Sequence, residues 1–191
     1  MSDTESLHNL LISRSIRTGE FVLASGRTSS FYVDARLTTM SPDGMVLIGR
    51  LGLDYIDSKN WKPDSVGGLT LGADPVAYAI SHTSVSRSQP LRAFTVRKEA
   101  KAHGTGKRIE GPFRPGDRVV VIEDVITTGK SALDAIHAVE NEGGKVIGVL
   151  AVVDREEGGR ETILERGYPV ISLASRTDLM ALSFPNNSAD G

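Results

Sequence analysis

The sequence predicts an α/β protein with a doubly wound, mainly parallel sheet and helices on both faces. Three observations carry that expectation. Short runs rich in Val, Ile and Leu alternate with segments of helical period from Ser65 onward, and continuous apolar strands of this kind are buried on both faces of a parallel sheet. No internal repeat, low-complexity block or long Pro/Gly/Ser linker divides the 191 residues, so one domain over residues 1–191 is expected. The hydrophobic share of 39% and charged share of 24% are those of an ordinary globular chain, large enough to bury a core without staples.

The elements follow in order. Leu7, Leu10, Leu11 and Ile16 lie near helical spacing and predict a helix over residues 4–17, which Gly19 ends. Residues 21–24 and 31–35 read as short strands about the turn Ser25-Gly26-Arg27. An amphipathic helix over 42–56 places Met45, Ile48, Leu51 and Tyr55 on one face. From there the period changes: strand 65–69, helix 74–82, strand 91–96, strand 118–122, helix 131–141 closed by Gly143-Gly144, strand 146–153, short helix 162–166 and strand 170–175. Crossovers in such a sheet are right-handed, and ligands bind beyond the carboxyl ends of its strands. The polar residues 185–191 form a loose tail.

Several function classes are disfavoured at once. With 22 basic against 24 acidic residues, the charge balance argues against a dominant nucleic-acid footprint. The absence of cysteine removes disulfides, thiolate chemistry and zinc–sulfur sites and is compatible with a reducing cytoplasm. The amino terminus begins acidic without an apolar core, and no apolar run reaches the ~20 residues of a spanning helix. A soluble, cytoplasmic protein is expected.

The chemistry concentrates after the strand at 118–122. Glu123 and Asp124 place two carboxylates at its carboxyl end, and Thr127-Thr128-Gly129-Lys130-Ser131 opens the next helix. A helix start offers unpaired N–H donors and the positive end of its dipole. The dipole alone is worth only about 0.3–1 kcal/mol, so hydroxyls and successive backbone donors must add to it, with Gly129 admitting close approach of an anion. The Gly129-Lys130-Ser131 ending looks like a P-loop, but that pattern needs a glycine where Asp124 stands, and a carboxylate there would repel a phosphate. A solvated strand–loop–helix connection is the plain alternative for the loop alone. Two carboxylates followed at once by the loop match hydroxyls at one end of a ligand and a phosphate at the other, as in a ribose 5-phosphate.

The stretch VVVIEDVITTGKS, 119–131, resembles the phosphoribosyl-pyrophosphate (PRPP) motif of type I phosphoribosyltransferases. The resemblance implies that fold, Glu123 and Asp124 on the ribose hydroxyls, and Thr127, Thr128, Gly129, Lys130 and Ser131 around the 5-phosphate, with Val125 and Ile126 between. A second segment, RKEAKAHG at 97–104, matches the R-K-E-A-K-x-H-G pattern of orotate phosphoribosyltransferases. A basic run is most often only a charged surface loop. In that family it is a lid over the active site, acting largely across a dimer interface. The resemblance thus implies a homodimer, a lid over about 97–112, and Arg97, Lys98, Lys101 and His103 on the pyrophosphate. Lys98, Lys101, His103 and Asp124 become the catalytic candidates, with His103 also a proton source. Mg²⁺ is implied as the cofactor, carried by PRPP with no direct protein ligand.

Two further segments resemble the same family. FVLASGRTSSFY, 21–32, resembles its amino-terminal hood, contributed mainly by residues 1–40, and makes Tyr32 a candidate against the pyrimidine ring; a core aromatic is the equal alternative. Arg155 follows the strand at 146–153, where the family's arginine meets the carboxylate of orotate. For an isolated arginine, a surface ion pair with Glu156 or Glu157 is the alternative. Thr127 completes the orotate set. The family's usual lysine after the strand at 65–69 is replaced by Gly72, its hood lysine by Ala24, and Lys130 is unusual in the phosphate loop. The implied reaction joins orotate to PRPP, giving orotidine 5′-monophosphate and pyrophosphate. A same-fold enzyme for another base and a non-catalytic PRPP-sensing regulator are the rival readings. The intact lid signature and the absence of a helix-turn-helix extension weigh against the regulator.

Overall fold

The computed structural model describes residues 1–22, 28–99 and 107–183. Helix α1 (Asp3–Leu10) starts at a capping box: the Glu5 amide donates to Ser2 Oγ at 3.1 Å, and the Ser2 amide donates to Glu5 Oε2 at 2.7 Å. One π-helical turn, Leu11–Ser15, carries the chain into β1 (Ile16–Val22). The predicted helix over 4–17 is therefore shorter. From Ile16 the backbone pairs antiparallel with β2 (Thr28–Val33), and that ladder overrides the local helical spacing. The register shifts between Thr18 and Phe21, so Gly19 marks a bulge rather than a helix end.

After the short α2 (Arg36–Thr39), Ser41 Oγ accepts the Gly44 amide and Pro42 occupies the first turn of α3 (Pro42–Ser58). Ile48, Leu51, Leu53 and Ile56 are buried, whereas Met45 and Tyr55 are only half-buried. The face is rotated because α3 lies close against α4 (Ala73–Ser84) through glycines. A Cβ at Gly49 would stand 2.7 Å from the Ala79 carbonyl.

The sheet contains β3 (Ser65–Leu69), β4 (Arg92–Val96), β5 (Ile109–Glu110), β6 (Arg118–Ile126), β7 (Lys145–Asp154) and β8 (Val170–Ser175), in the order β5-β4-β3-β6-β7-β8. Every neighbouring pair is parallel except β4 with β5. Between them run α5 (Lys130–Asn141) and α6 (Gly159–Glu165), and α7 (Arg176–Ser183) follows β8. The chain leaves β3 toward β4 and β5, then returns to place β6 on the other side of β3. That reversal makes the β3/β6 crevice the topological switch point, where such sheets bind ligands.

Strand alternation divides the interior into two cores. Val120, Ile122, Leu150 and Val152 face one, with α1, α3, α4 and α7; Val119, Val121, Val149 and Ala151 face the other, with α5 and α6. At the amino end of the sheet, the Trp61 ring lies on Gly148 of β7, where a Cβ would come within 2.2 Å of it. Strand β6 runs four residues beyond the predicted 118–122, because Glu123, Val125 and Ile126 continue the ladder with Ala151, Val153 and Asp154. The acidic pair thus lies inside the strand's carboxyl end rather than after it. Among the described residues, no helix is long and apolar enough to cross a membrane.

Candidate active site

Burying an ionisable group in a strand is costly unless it is paired, and Glu123 is such a group. It is 6% exposed, and its Oε1 is buried with no hydrogen-bond partner. Burial, and then the neighbouring Asp124 charge, push its pKa up to about 8. Asp124 is also raised, chiefly by burial. The Val125 amide, donating to its Oδ1 at 2.8 Å, and the charge of Arg36 oppose the rise. Across the switch point the turn after β3 meets this pair: a Cβ on Gly72 would fall 2.5 Å from the Asp124 carboxyl. The space that a side chain at position 72 would need is therefore filled by Asp124, and the turn is placed by Asp74. That carboxylate accepts from Thr70 Oγ1 at 2.6 Å and from Thr95 Oγ1 at 2.8 Å.

The loop Thr127–Ser131 follows. Gly129 caps α5 with φ of 78°, a left-handed conformation, and a Cβ there would approach the Gly159 carbonyl to 2.7 Å. No side chain caps the helix, so its first N–H groups face a cavity of about 20 Å³ lined by residues that include Glu123, Thr127, Gly129 and Ser131. Thr128, Lys130 and Ser131 are exposed. Val125 and Ile126 pack against opposite cores and can offer only backbone. Lys130 lies near Asp134, whose carboxyl is held below its usual range mainly by a hydrogen bond from Arg108, with smaller help from His137 and Lys130.

Of the basic segment, Arg97 and Lys98 are described and exposed; Lys101 and His103 lie outside the described residues. Arg97, Lys98, Thr70, Thr95 and Glu110 line a cavity of about 550 Å³ beside the Thr70–Gly72 turn. The end of the predicted lid is built into the sheet: Ile109–Glu110 is β5, paired with β4, an element not anticipated from sequence.

The hood strands β1 and β2 form an antiparallel pair. Phe31 on β2 is buried with the Arg176 guanidinium 5.4 Å over its ring, while the adjacent Tyr32 is 37% exposed and faces the other way. Tyr32 is therefore not a core aromatic. It stands near Arg36, whose carboxylate partner is Asp34 at 2.8 Å and whose charge also reaches Asp124. Arg155 is 6% exposed. Its Nη2 donates to the Phe31 carbonyl at 3.1 Å and to Glu157 Oε1 at 2.6 Å. The Glu157 ion pair considered from sequence is present, but at a buried bridge between β7 and β2 instead of on the surface.

Sequence reasoning missed Arg36 and the anchoring role of Asp74, which belong to no motif and reach the site only in the folded crevice. Arg108 lies within the predicted lid range, but its pairing with Asp134 carries no local signal. Among the described residues, no group of three or more His, Asp or Glu side chains is arranged to hold a metal. The donor set at hand, two adjacent carboxylates, suits a hard cation that brings most of its oxygen ligands with a phosphorylated substrate.

Residues 41–170 match the family described as phosphoribosyl transferase domain. Orotate phosphoribosyltransferase of Aquifex aeolicus is 48% identical over 183 residues, covering 94% of this chain and 99% of that protein. The crystal structure of Mycobacterium tuberculosis orotate phosphoribosyltransferase in complex with PRPP superposes with a TM-score of 0.81 at 42% identity, covering 94% of this chain and 99% of that one. Orotate phosphoribosyltransferase from Aeropyrum pernix gives 0.78 at 32% identity, over 95% and 99%.

Proposed function

This chain belongs to the orotate phosphoribosyltransferases, within the phosphoribosyl transferase family, and from that premise we propose how its own residues carry the transfer of phosphoribose from PRPP to orotate. Glu123 and Asp124 accept the ribose hydroxyls, and the Thr127–Ser131 loop receives the 5-phosphate through its backbone amides and hydroxyls. The observation that carries this reading is the buried, unpartnered Oε1 of Glu123 beside Asp124, at the head of an uncapped helix in the switch-point crevice. A buried acceptor of that kind is complete only with a donor brought by a ligand.

The C1–O bond to pyrophosphate breaks with its electron pair leaving on pyrophosphate, and C1 joins the orotate ring nitrogen, whose proton leaves with the pyrophosphate. The transition state is oxocarbenium-like, as in other glycosyl transfers. Positioning and neutralisation of the leaving charge supply the catalysis. Arg97, Lys98, Lys101 and His103 serve the pyrophosphate; a cation about 4 Å away is worth roughly 4 kcal/mol at an effective dielectric of 20 against roughly 1 in water. Lid closure that excludes water is what makes them effective. Arg155 and Thr127 meet orotate, with Glu157 giving way to the substrate carboxylate, and Tyr32 lies against the ring. Mg²⁺ would enter with PRPP, held by substrate oxygens rather than by direct protein ligands, and would offset the charge that builds on the pyrophosphate. The working form is a cytoplasmic homodimer whose lid reaches the partner's site, and the hood is drawn mainly from residues 1–40.

The test is incubation with PRPP and Mg²⁺ plus orotate, uracil or a purine, following nucleotide and pyrophosphate. Orotate alone should give product. No product with orotate overturns the assignment, and PRPP binding without turnover on any base would favour a sensor.

A further inference from the structure

Arg108 ties the root of the basic segment to the helix that begins at the phosphate loop. Its guanidinium uses all three nitrogens. Nε and Nη2 donate to the Arg97 carbonyl at 3.0 and 2.9 Å, and Nη2 also reaches the Lys98 carbonyl at 3.2 Å. Nη1 and Nη2 grip Asp134 Oδ1 and Oδ2 at 2.9 and 2.8 Å, a bidentate pair. The backbone closes the same junction, since the Arg97 amide donates to the Arg108 carbonyl at 2.8 Å. Arg108 is itself fixed, because its amide and that of Ile109 donate to Glu142 Oε1 at 3.0 and 3.1 Å. Asp134 sits in the first half of α5, and Glu142 caps its end.

We propose that Arg108, held by Asp134, is a positioning residue for the pyrophosphate end of PRPP. It sets where Arg97 and Lys98 stand relative to the helix whose first turn takes the 5-phosphate. The inference rests on the PRPP reading above. Without this clamp the two backbone carbonyls lose their donors, and ordering the segment's root falls on the binding step. A lysine cannot replace it, since a point charge has no fork to span two carbonyls and a carboxylate.

Calorimetry with two separate probes tests this: inorganic pyrophosphate with Mg²⁺, and ribose 5-phosphate. Arg108→Lys and Asp134→Asn should each weaken pyrophosphate about tenfold, the scale of a lost charge-assisted bidentate contact, while ribose 5-phosphate shifts less than about twofold. The double variant should be no weaker than the worse single one, because both break one unit. Asp134 lies at a half-exposed position, 42% by side chain, so Asp134→Asn carries the test should Arg108→Lys fail to fold. Unchanged pyrophosphate affinity, equal weakening of both probes, or additive losses would each overturn the role. A wild-type protein that binds neither probe removes the PRPP reading and this inference with it.

Discussion

Replacing Glu123 with glutamine should make the protein more stable and less able to hold PRPP, and the gain should depend on pH. The group is almost fully buried, and its carboxyl is pushed from 4.5 up to about 8, first by burial and then by Asp124. A folded pKa above the unfolded one works against stability as pH rises. Below pH 4.5 both states are protonated and nothing is contributed. Between there and pH 8 the unfolded chain ionises while the folded one keeps its proton, so stability falls by about 1.4 kcal/mol per pH unit. At pH 7 the deficit is roughly 3 kcal/mol, and above pH 8 it levels near roughly 5 kcal/mol. Glutamine keeps the shape and removes the titration. Wild type and Glu123→Gln should melt at similar temperatures at pH 5 and diverge toward pH 8 by roughly 10 °C, at about 2–4 °C per kcal/mol for a domain of this size. Thermal melts at half-unit pH steps measure this directly. A gap that stays constant from pH 5 to 8 would refute the reasoning. With the wild type, PRPP should release a proton from Glu123 on binding near pH 7, visible as a buffer-dependent binding enthalpy that the variant lacks.

Three other outcomes follow from the same crevice. Gly72→Ala drives a methyl to 2.5 Å from the short, half-buried Asp124 side chain, so KM for PRPP should rise at least about tenfold in steady-state assays. Arg155→Lys leaves the Phe31 carbonyl and Glu157 without their shared donor; KM for orotate should rise by about tenfold or more, while KM for PRPP stays put. Gly129→Ala combines a φ of 78° with a contact at 2.7 Å to the Gly159 carbonyl, and should cost about 1–3 kcal/mol in denaturant unfolding while abolishing inorganic phosphate binding.

How far the sequence announces all this depends on whether the information is local. Strand β8 and the spans of β3 and β7 are legible because their apolar runs are buried on both faces, and Thr127–Ser131 because turn, helix start and anion chemistry coincide. The start of β1 is not, since Leu7, Leu11 and Ile16 keep helical spacing right into a strand fixed by its partner β2. The extension of β6 through Glu123 and Asp124 is hidden for the opposite reason: carboxylates look like a strand end until β7 is beside them. Arg155 shows the limit most sharply. Its motif points to a ligand, and its neighbours in sequence point to an ion pair. Only the fold reveals that Phe31, 124 residues away, shares the same guanidinium. Arg36 carries no signal at all, and Arg108 shows only as one more cation of the basic run, because their partners are set by the crevice and by α5.

The seat of Trp61 on Gly148 has a practical use. It is the chain's one tryptophan, pressed against the amino end of β7, while Glu123, the Thr127–Ser131 loop and Arg155 gather at the carboxyl ends. Its emission should therefore follow the opening of the sheet and stay silent when the far end fills. A single intrinsic fluorophore thereby separates loss of structure from occupancy of the crevice, with no label attached.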